Sequence, residues 1–192
     1  GRLVLWSGVS CQIAALKKFL GRDYENLLMV EILCHGVPSP LVWDKYLKEV
    51  TEGCIQCIQS VNFRGKKRGW RRFGLSVTDG VNSPLTDLPF GENPYMKAFL
   101  SDMILRPSCY NCVSRNGHAG SDITIGDHWA IGDIDPSFDD DKGVSLVLIN
   151  TLRGEQFWNR IEGDTDYMTT DFDVSKKWNG AFYTRTEEHL HR

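Results

Sequence analysis

The chain alternates between short apolar runs and amphipathic stretches, with turn residues between them. Residues 3–6 and 27–33 form nearly continuous apolar runs, the pattern typical of buried parallel strands. Residues 12–20 carry apolar side chains at helical spacing, and Gly21 offers a stop signal. The predicted inner face of this helix comprises Ile13, Leu16, Phe19 and Leu20. Together these segments predict a strand–turn–helix–strand unit of the doubly wound kind.

Downstream patterns predict further helices and strands. We expect helices over residues 40–50, 94–105 and 154–161, and strands over residues 58–64, 72–78, 84–88, 122–125 and 144–150. Predicted core contacts of the helix over residues 40–50 are Leu41, Tyr46 and Leu47. The fold class is therefore α/β: a Rossmann-like mixed or parallel sheet with flanking helices and a β-rich insertion. We expect one domain over residues 1–192, an excised fragment that is incomplete at its N-terminus because an apolar run starts at once.

Composition narrows the function classes. The 192 residues include 22 Lys plus Arg against 25 Asp plus Glu, a formal net charge of −3, and 41% hydrophobic residues. This balance fits a globular domain and argues against a general nucleic-acid binder. Every apolar run is shorter than the roughly 18 residues that a membrane-spanning helix needs. Because no signal peptide is evident, we expect a cytoplasmic protein.

Cysteines are the strongest chemical signal. The six are Cys11, Cys34, Cys54, Cys57, Cys109 and Cys112. Cys109 and Cys112 form a C-x-x-C in a predicted loop, a spacing that can hold one metal ion or part of an iron–sulfur cluster. Four ligands are needed, and the other two could be Cys11 with Cys34, or Cys54 with Cys57. Cys11 and Cys34 each follow a predicted strand, at the sheet edge where α/β proteins bind ligands, which favours the first pair without deciding the choice.

Four weaker signals lie elsewhere. Residues 51–72 carry six Lys and Arg side chains, with Phe63, Trp70 and Phe73 interleaved or adjacent, which suits a phosphate-bearing ligand or simply a solvated hairpin. The turn over residues 8–12 could present backbone N–H groups to an anion. Asp127 and His128 follow a strand and could be catalytic, although a lone histidine is more often structural. The acidic run of residues 139–141 lacks the spacing of a calcium loop and is interpreted as solvated.

Six ordered motifs carry a family resemblance. They are GVSCQIAAL (residues 8–16), CHGVPS (34–39), NFR (62–64), RPSCYNC (106–112), SDITIGDHW (121–129) and KGVS (142–145). Over residues 3–160 the chain resembles the C-terminal domain of the coenzyme F-420 hydrogenase/dehydrogenase beta subunit family. The resemblance implies an iron–sulfur flavoprotein oxidoreductase that passes electrons between a 4Fe-4S cluster, FAD and a hydride-accepting substrate, a deazaflavin coenzyme or another acceptor.

The resemblance also implies specific residues. Those matching the cluster ligands are Cys11, Cys34, Cys109 and Cys112, whereas Cys54 and Cys57 have no counterpart and are local to this chain. Residues expected to contribute to cofactor binding are Gly8, Gln12, His35, Phe63, Arg64, Lys66, Asp127 and Ser145. Expected partners are a ferredoxin-like domain or electron-transfer subunit and a small-molecule hydride acceptor, with neither nucleic acid nor membrane.

Two positions depart from the family pattern. Ser10 stands where the family usually has proline, and His128 stands where it often has an aromatic residue. These changes alter the stiffness of the first cysteine loop and the lining of the pocket. The alternative function is a non-catalytic zinc-binding or scaffold domain in a biosynthetic assembly, and metal content separates it from the oxidoreductase.

Overall fold

The structure is a computed structural model that describes residues 1–81, 83–115, 117 and 119–179. Strands and helices alternate along these residues. The strands are β1 (Val4–Val9), β2 (Leu27–Ile32), β3 (Ile58–Gly65), β4 (Gly74–Asp79), β5 (Pro84–Pro89), β6 (Ile123–Asp127) and β7 (Ser145–Ile149). The α-helices are α1 (Ser10–Leu20), α2 (Pro40–Val50), α3 (Pro94–Leu100), α4 (Pro107–Tyr110), α5 (Ile131–Ile134), α6 (Leu152–Ile161) and α7 (Phe172–Ser175). Most predicted elements are confirmed to within a few residues of their bounds. The polar C-terminal region, unassigned from the sequence, lies outside the described residues from position 180 onward.

The described residues fall into two compact units. The first unit contains residues 1–35, 111–139 and 144–179, and the second contains residues 36–110 and 140–143. Assignment of residues 1–192 to a single domain stays a prediction. None of the described helices has the length and apolar content needed to cross a lipid bilayer.

A four-stranded mixed sheet forms the framework of the first unit. Its strand order is β1-β2-β6-β7, with β1, β2 and β6 parallel and β7 antiparallel to β6. The connection from β1 to β2 runs through α1, which ends at Gly21 in a left-handed conformation with φ 65°. Helices flank this sheet, so the predicted α/β class is confirmed.

The first strand departs from its predicted environment. It is parallel as predicted, but it lies at the edge of the sheet, and Leu5 and Trp6 are 56% and 43% exposed. By contrast, β2 pairs on both sides and is largely buried. A continuous apolar run indicates a parallel strand, yet it does not distinguish an edge position from a central one.

The core of the first unit lies between α1 and the sheet. Ile13, Leu27, Met29 and Ala119 form its centre, with Leu16, Leu20 and Tyr24 packed against them. Phe19, predicted on the inner face of α1, is 87% exposed, so that prediction was wrong. An apolar stripe four residues wide is broader than the contact that one short helix makes with this core.

A three-stranded antiparallel sheet, in the order β3-β4-β5, organises the second unit. It corresponds to the predicted β-rich insertion. The most buried side chains of the second unit include Trp70, Leu75 and Val77, none of which is exposed to solvent. In the same unit, the rings of Trp43 and Tyr95 pack against each other at an angle of 59°, with their centroids 4.8 Å apart. Large aromatic side chains therefore supply much of this core.

Three local predictions for the second unit were wrong. Helix α3 stops at Leu100 rather than residue 105, because Asp102 adopts a left-handed conformation with φ 61° that ends the helix. Cys109 lies in one helical turn, α4, rather than in a loop, since Pro107 at the first position favours helix initiation. On α2, Tyr46 is buried as predicted and Leu47 is half-buried, but Leu41 is 63% exposed.

Candidate functional site

Three parallel strands of the first unit are in register near their carboxyl ends. Val9 pairs with Ile32, and Ile32 pairs with Ile125. Two positions further along the chain from Val9, Ile32 and Ile125 are Cys11, Cys34 and Asp127. Neighbouring strands lie about 4.8 Å apart. The register therefore brings two predicted ligands and one predicted cofactor-binding residue to the same carboxyl edge, where parallel α/β sheets bind ligands.

The four predicted cluster ligands are all thiols. Cys11 is exposed, and Cys34, Cys109 and Cys112 are half-buried. Cys109 belongs to the second unit, where its Sγ accepts a hydrogen bond from the Val37 N–H at 3.3 Å. The other three belong to the first unit.

Thiolate sulfur is the donor type that iron–sulfur clusters and structural zinc both require, so the donor chemistry fits. Within the described ranges, however, no three His, Cys, Asp or Glu side chains lie close enough together to hold a metal ion.

A buried carboxyl supports the loop of the first cysteine. Glu31 in β2 is fully buried and accepts hydrogen bonds from Ser10 Oγ at 2.5 Å and Ser121 Oγ at 2.8 Å. Thr124 Oγ1 donates to the same carboxyl at 3.3 Å. Ser10 directly precedes Cys11, so Glu31 ties the start of α1 to the middle of the sheet. Sequence reasoning missed this role, although a charged residue inside an otherwise apolar run is its signal.

The turn between β1 and α1 is closed by its own side chain. Gln12 Oε1 accepts a hydrogen bond from the Val9 N–H at 3.1 Å. A Cβ atom on the buried Gly8 would lie 2.9 Å from that same oxygen, so a side chain at position 8 would displace the Gln12 amide from this contact. The two predicted residues Gly8 and Gln12 are therefore together, and the Val9 N–H is already engaged by the protein.

Asp127 and Ser145 are also brought together. They face each other as the last pair of the β6–β7 ladder. His128 follows directly, is only 4% exposed, and donates its backbone N–H to the Val144 carbonyl at 2.8 Å. Neither ring nitrogen of His128 has a hydrogen-bond partner among the described residues. Burial lowers the pKa of His128, which keeps the imidazole neutral at pH 7.

Arg115 is a further buried group that sequence reasoning missed. The residue is 5% exposed, and its guanidinium donates to the carbonyl of His35, a predicted cofactor-binding residue, within the first unit. A buried arginine is uncommon unless it is paired. It fixes the backbone one residue after Cys34, and no motif in the sequence pointed to it.

In the second unit, Phe63 and Arg64 are held by aromatic contacts. The Phe63 ring lies 4.9 Å from Trp43, and the Arg64 guanidinium lies 4.2 Å from the centre of the Phe73 ring. A cation placed over a ring face is attracted by the ring quadrupole. Both side chains belong to the last residues of β3, and these ring contacts orient them.

The basic hairpin separates into two kinds of cation. Lys67 and Arg68 both pair with Asp87, at 3.3 and 3.2 Å, and these contacts lower the pKa of Asp87, the Arg68 hydrogen bond most. Lys66 instead donates to the Lys142 carbonyl at 2.7 Å, a contact that leaves the ammonium charge in place. Lys66 therefore suits an anionic ligand better than its two neighbours do.

The acidic run beside this hairpin has a structural role. Asp141 Oδ1 accepts hydrogen bonds from the backbone N–H groups of Trp70 and Arg71, at 3.1 and 3.3 Å. Asp140 pairs with Lys142 at 2.9 Å. Asp141 therefore fastens this segment to the hairpin, whereas the Asp140 pair is local to the loop; the run is thus more than the solvated loop that the sequence predicts.

The fold is shared with a protein of known structure. A chain in the xenon-derivatised F420-reducing [NiFe] hydrogenase complex from Methanosarcina barkeri superimposes with a TM-score of 0.54 at 16% sequence identity. The match covers 93% of this chain and 56% of that one, so the present chain spans little more than half of its neighbour. At this identity the likeness establishes the α/β fold.

Sequence comparison then gives the family. Residues 1–174 match the family model that describes the C terminus of the beta subunit in coenzyme F420 hydrogenase/dehydrogenase. The chain belongs to this family, which confirms the resemblance carried by the six motifs. No curated protein matches the chain in sequence.

Proposed function

We propose that this chain is the cluster- and flavin-binding part of an iron–sulfur flavoprotein oxidoreductase. The observation that carries the proposal is the register of the first unit, in which Cys11 and Cys34 follow paired strand ends by the same two residues. Family membership supports the redox class. A cluster exchanges single electrons and a flavin exchanges a hydride, so the pair connects a one-electron donor with a two-electron acceptor.

The proposed cluster ligands are Cys11, Cys34, Cys109 and Cys112. All four are thiols, and two of them follow the carboxyl ends of paired parallel strands, the kind of position where α/β sheets bind ligands. Cys109 and Cys112 add the C-x-x-C spacing common among cluster ligands. The Val37 N–H that donates to Cys109 Sγ is the kind of contact that stabilises a thiolate and tunes a cluster's potential.

Metal analysis tests the ligand set. After anaerobic reconstitution we expect about four irons and four sulfides per chain, lost in Cys34→Ala. The matched control is the Cys54→Ser/Cys57→Ser double variant, which should load as much iron as the wild type. One zinc without iron would contradict the proposal and favour the zinc-binding or scaffold alternative. Equal iron loss in the control would show that the four proposed ligands are not the specific set.

The proposed flavin contacts include Arg64 and Lys66. A guanidinium and an ammonium suit the pyrophosphate of FAD, and the Phe73 stack and the Lys142 carbonyl hold the two groups in place. The remaining proposed contacts are Gly8, Gln12, His35, Phe63, Asp127 and Ser145.

Flavin affinity tests the two cations. We expect Arg64→Ala and Lys66→Ala each to weaken FAD binding on the order of tenfold, because each removes a charge-assisted hydrogen bond. Lys67→Ala is the matched control: Lys67 already pairs with Asp87, so its removal should change affinity less than about twofold. Titration calorimetry with FAD measures all three. An equal loss in the control would show a diffuse charge effect instead of a binding site.

The same proposal includes two partners. An electron-transfer subunit or ferredoxin-like domain would supply or take single electrons, and a small-molecule hydride acceptor, a deazaflavin coenzyme or another, would react at the flavin. The structural neighbour belongs to a hydrogenase complex described as F420-reducing, which supports this expectation. Reduction of a deazaflavin by the reconstituted chain with a chemical electron donor tests the acceptor directly.

A further inference from the structure

The chain contains two C-x-x-C sequences in different chemical states. Cys109 and Cys112 are thiols, whereas Cys54 and Cys57 are joined by a disulfide with their Cα atoms 5.5 Å apart. This distance lies in the range that disulfides ordinarily span. The C-x-x-C spacing alone therefore does not determine whether the two sulfurs are joined.

The disulfide lies in the connection between α2 and β3. Gly53, with φ 91°, turns the chain after α2, and Cys57 is the last residue before β3 starts. Cys57 is exposed and Cys54 is half-buried. An external thiol can therefore approach the Cys57 sulfur from solvent more readily than the Cys54 sulfur.

The turn does not depend on the disulfide for its shape. Its backbone hydrogen bonds run from Gly53 N–H to the Lys48 carbonyl, from Cys54 N–H to Thr51, and from Cys57 N–H to Cys54, at 2.8, 2.9 and 3.0 Å. None of these bonds involves a sulfur atom, so reduction removes none of them directly and we expect the two sulfurs to stay close to each other. A disulfide that closes so short a loop also removes little chain entropy from the unfolded state, which makes a purely stabilising role weak.

We propose that Cys54 and Cys57 form a redox-active dithiol–disulfide pair that exchanges with an external dithiol, of either a small molecule or a protein. The site is separate from the proposed cluster and flavin residues and does not depend on them. Its partner class is set by chemistry: an accessible disulfide held by a preformed turn reacts with thiolates.

The exchange is a two-electron step. A thiolate of the external dithiol attacks Cys57 Sγ, which forms a mixed disulfide and breaks the bond to Cys54, whose sulfur leaves as a thiolate and takes up a proton. The second thiol of the reagent, after losing its proton, then attacks the sulfur of its own mixed disulfide. Cys57 leaves as a thiolate and is protonated. The reagent ends as a disulfide, and this chain ends with two thiols, having gained two electrons and two protons.

Thiol counting and peptide mapping test the state of the full chain. Purified without reductant and alkylated in denaturant, it should show four alkylated cysteines and one Cys54–Cys57 link. Dithiothreitol, and separately a reduced thioredoxin, should convert the folded chain to six alkylated cysteines within minutes, with an unchanged far-ultraviolet circular dichroism spectrum. Oxidised glutathione should restore the link. Two alkylated thiols at these positions throughout, or a link that yields only after denaturation, would overturn the proposal.

Single variants test which sulfur is attacked. With an aromatic disulfide reagent, Cys54→Ser leaves the exposed Cys57 and should form a mixed disulfide on the order of tenfold faster than Cys57→Ser, which leaves the half-buried Cys54. The assay compares both with the double variant, which sets the background from the other four thiols. Equal rates, or a faster Cys57→Ser, would overturn the assigned direction of attack.

Discussion

Replacement of Glu31 tests whether the buried carboxyl holds the first cysteine loop. Glu31→Ala removes the group that accepts from Ser10, Ser121 and Thr124. The hydroxyls of Ser121 and Thr124 keep each other and the Asn150 amide as partners. Ser10 Oγ loses its contact with β2. We therefore expect the variant to be destabilised most at the turn that leads into Cys11.

The magnitude follows from these contacts. A buried hydroxyl left without its partner costs about 1–3 kcal/mol. The space vacated by the side chain in a fully buried position adds about 1 kcal/mol. The free energy of unfolding should then fall by about 3 kcal/mol, which for a chain of this size lowers the melting temperature by about 6–12 °C. Ser10→Ala removes a single hydrogen bond and should cost about 1 kcal/mol.

Urea and thermal unfolding measure both variants, and iron content after reconstitution measures the consequence for the site. Glu25→Ala is the control, because Glu25 is exposed in the same unit and should change stability by less than about 0.5 kcal/mol. A Glu31→Ala variant as stable as this control would refute the reasoning. Wild-type iron content in a clearly destabilised Glu31→Ala would show that the carboxyl supports the sheet without supporting Cys11.

Three further predictions concern stability. Because burial lowers the pKa of His128, the unfolded state binds more protons at acid pH than the folded state does. The free energy of unfolding should therefore fall as pH drops below about 6.5, by at most about 1.4 kcal/mol per pH unit. Urea titrations of His128→Phe should show a flatter dependence of this free energy on pH. Gly154→Ala should lower the free energy of unfolding by about 2 kcal/mol, because its methyl group would overlap the Asp122 carbonyl oxygen just before β6. Gly163→Ala is the control: its methyl group meets no atom within 4 Å, so its melting temperature should not change. Asp141→Ala should lower stability by about 1–2 kcal/mol and shift the fluorescence of Trp70, since it removes the acceptor of two backbone N–H groups.

Strand direction and helix position were predictable because they depend on local pattern. Two apolar runs separated by an amphipathic stretch allow few arrangements, and the structure has the parallel pair joined by α1. Burial was less predictable, because it depends on which elements lie on the far side. Leu5 and Phe19 are apolar at the expected spacing, yet both are exposed. Nothing in the spacing reports that β1 is an edge strand or that Phe19 lies beyond the contact of α1 with the sheet.

The cysteines of the candidate site could be predicted from the sequence, but the residues that hold the cysteine loops in place could not. Cysteines after strands mark a sheet edge, and the register of Val9 with Ile32 agrees with that reasoning. Glu31 and Arg115 support this edge through contacts to residues 21 and 80 positions away in sequence. Contacts of this kind are set by tertiary packing, so no local motif announces them. A charge inside an apolar run is the one signal that a single sequence offers.

The Ser10–Glu31 hydrogen bond gives a physical meaning to the departure from the family pattern. A proline before the first motif cysteine would fix the backbone through its ring, at the cost of the N–H group. Serine keeps the N–H, leaves the backbone torsions open, and gains a hydroxyl that reaches the neighbouring strand. The position of Cys11 is then constrained by the hydrogen bond to β2 instead of by a proline ring at position 10. Ser10 and Glu31 therefore act as a pair. We expect Glu31→Ala to lower the free energy of unfolding less in a Ser10→Pro background than in the wild type, because the proline ring holds the turn without the carboxyl.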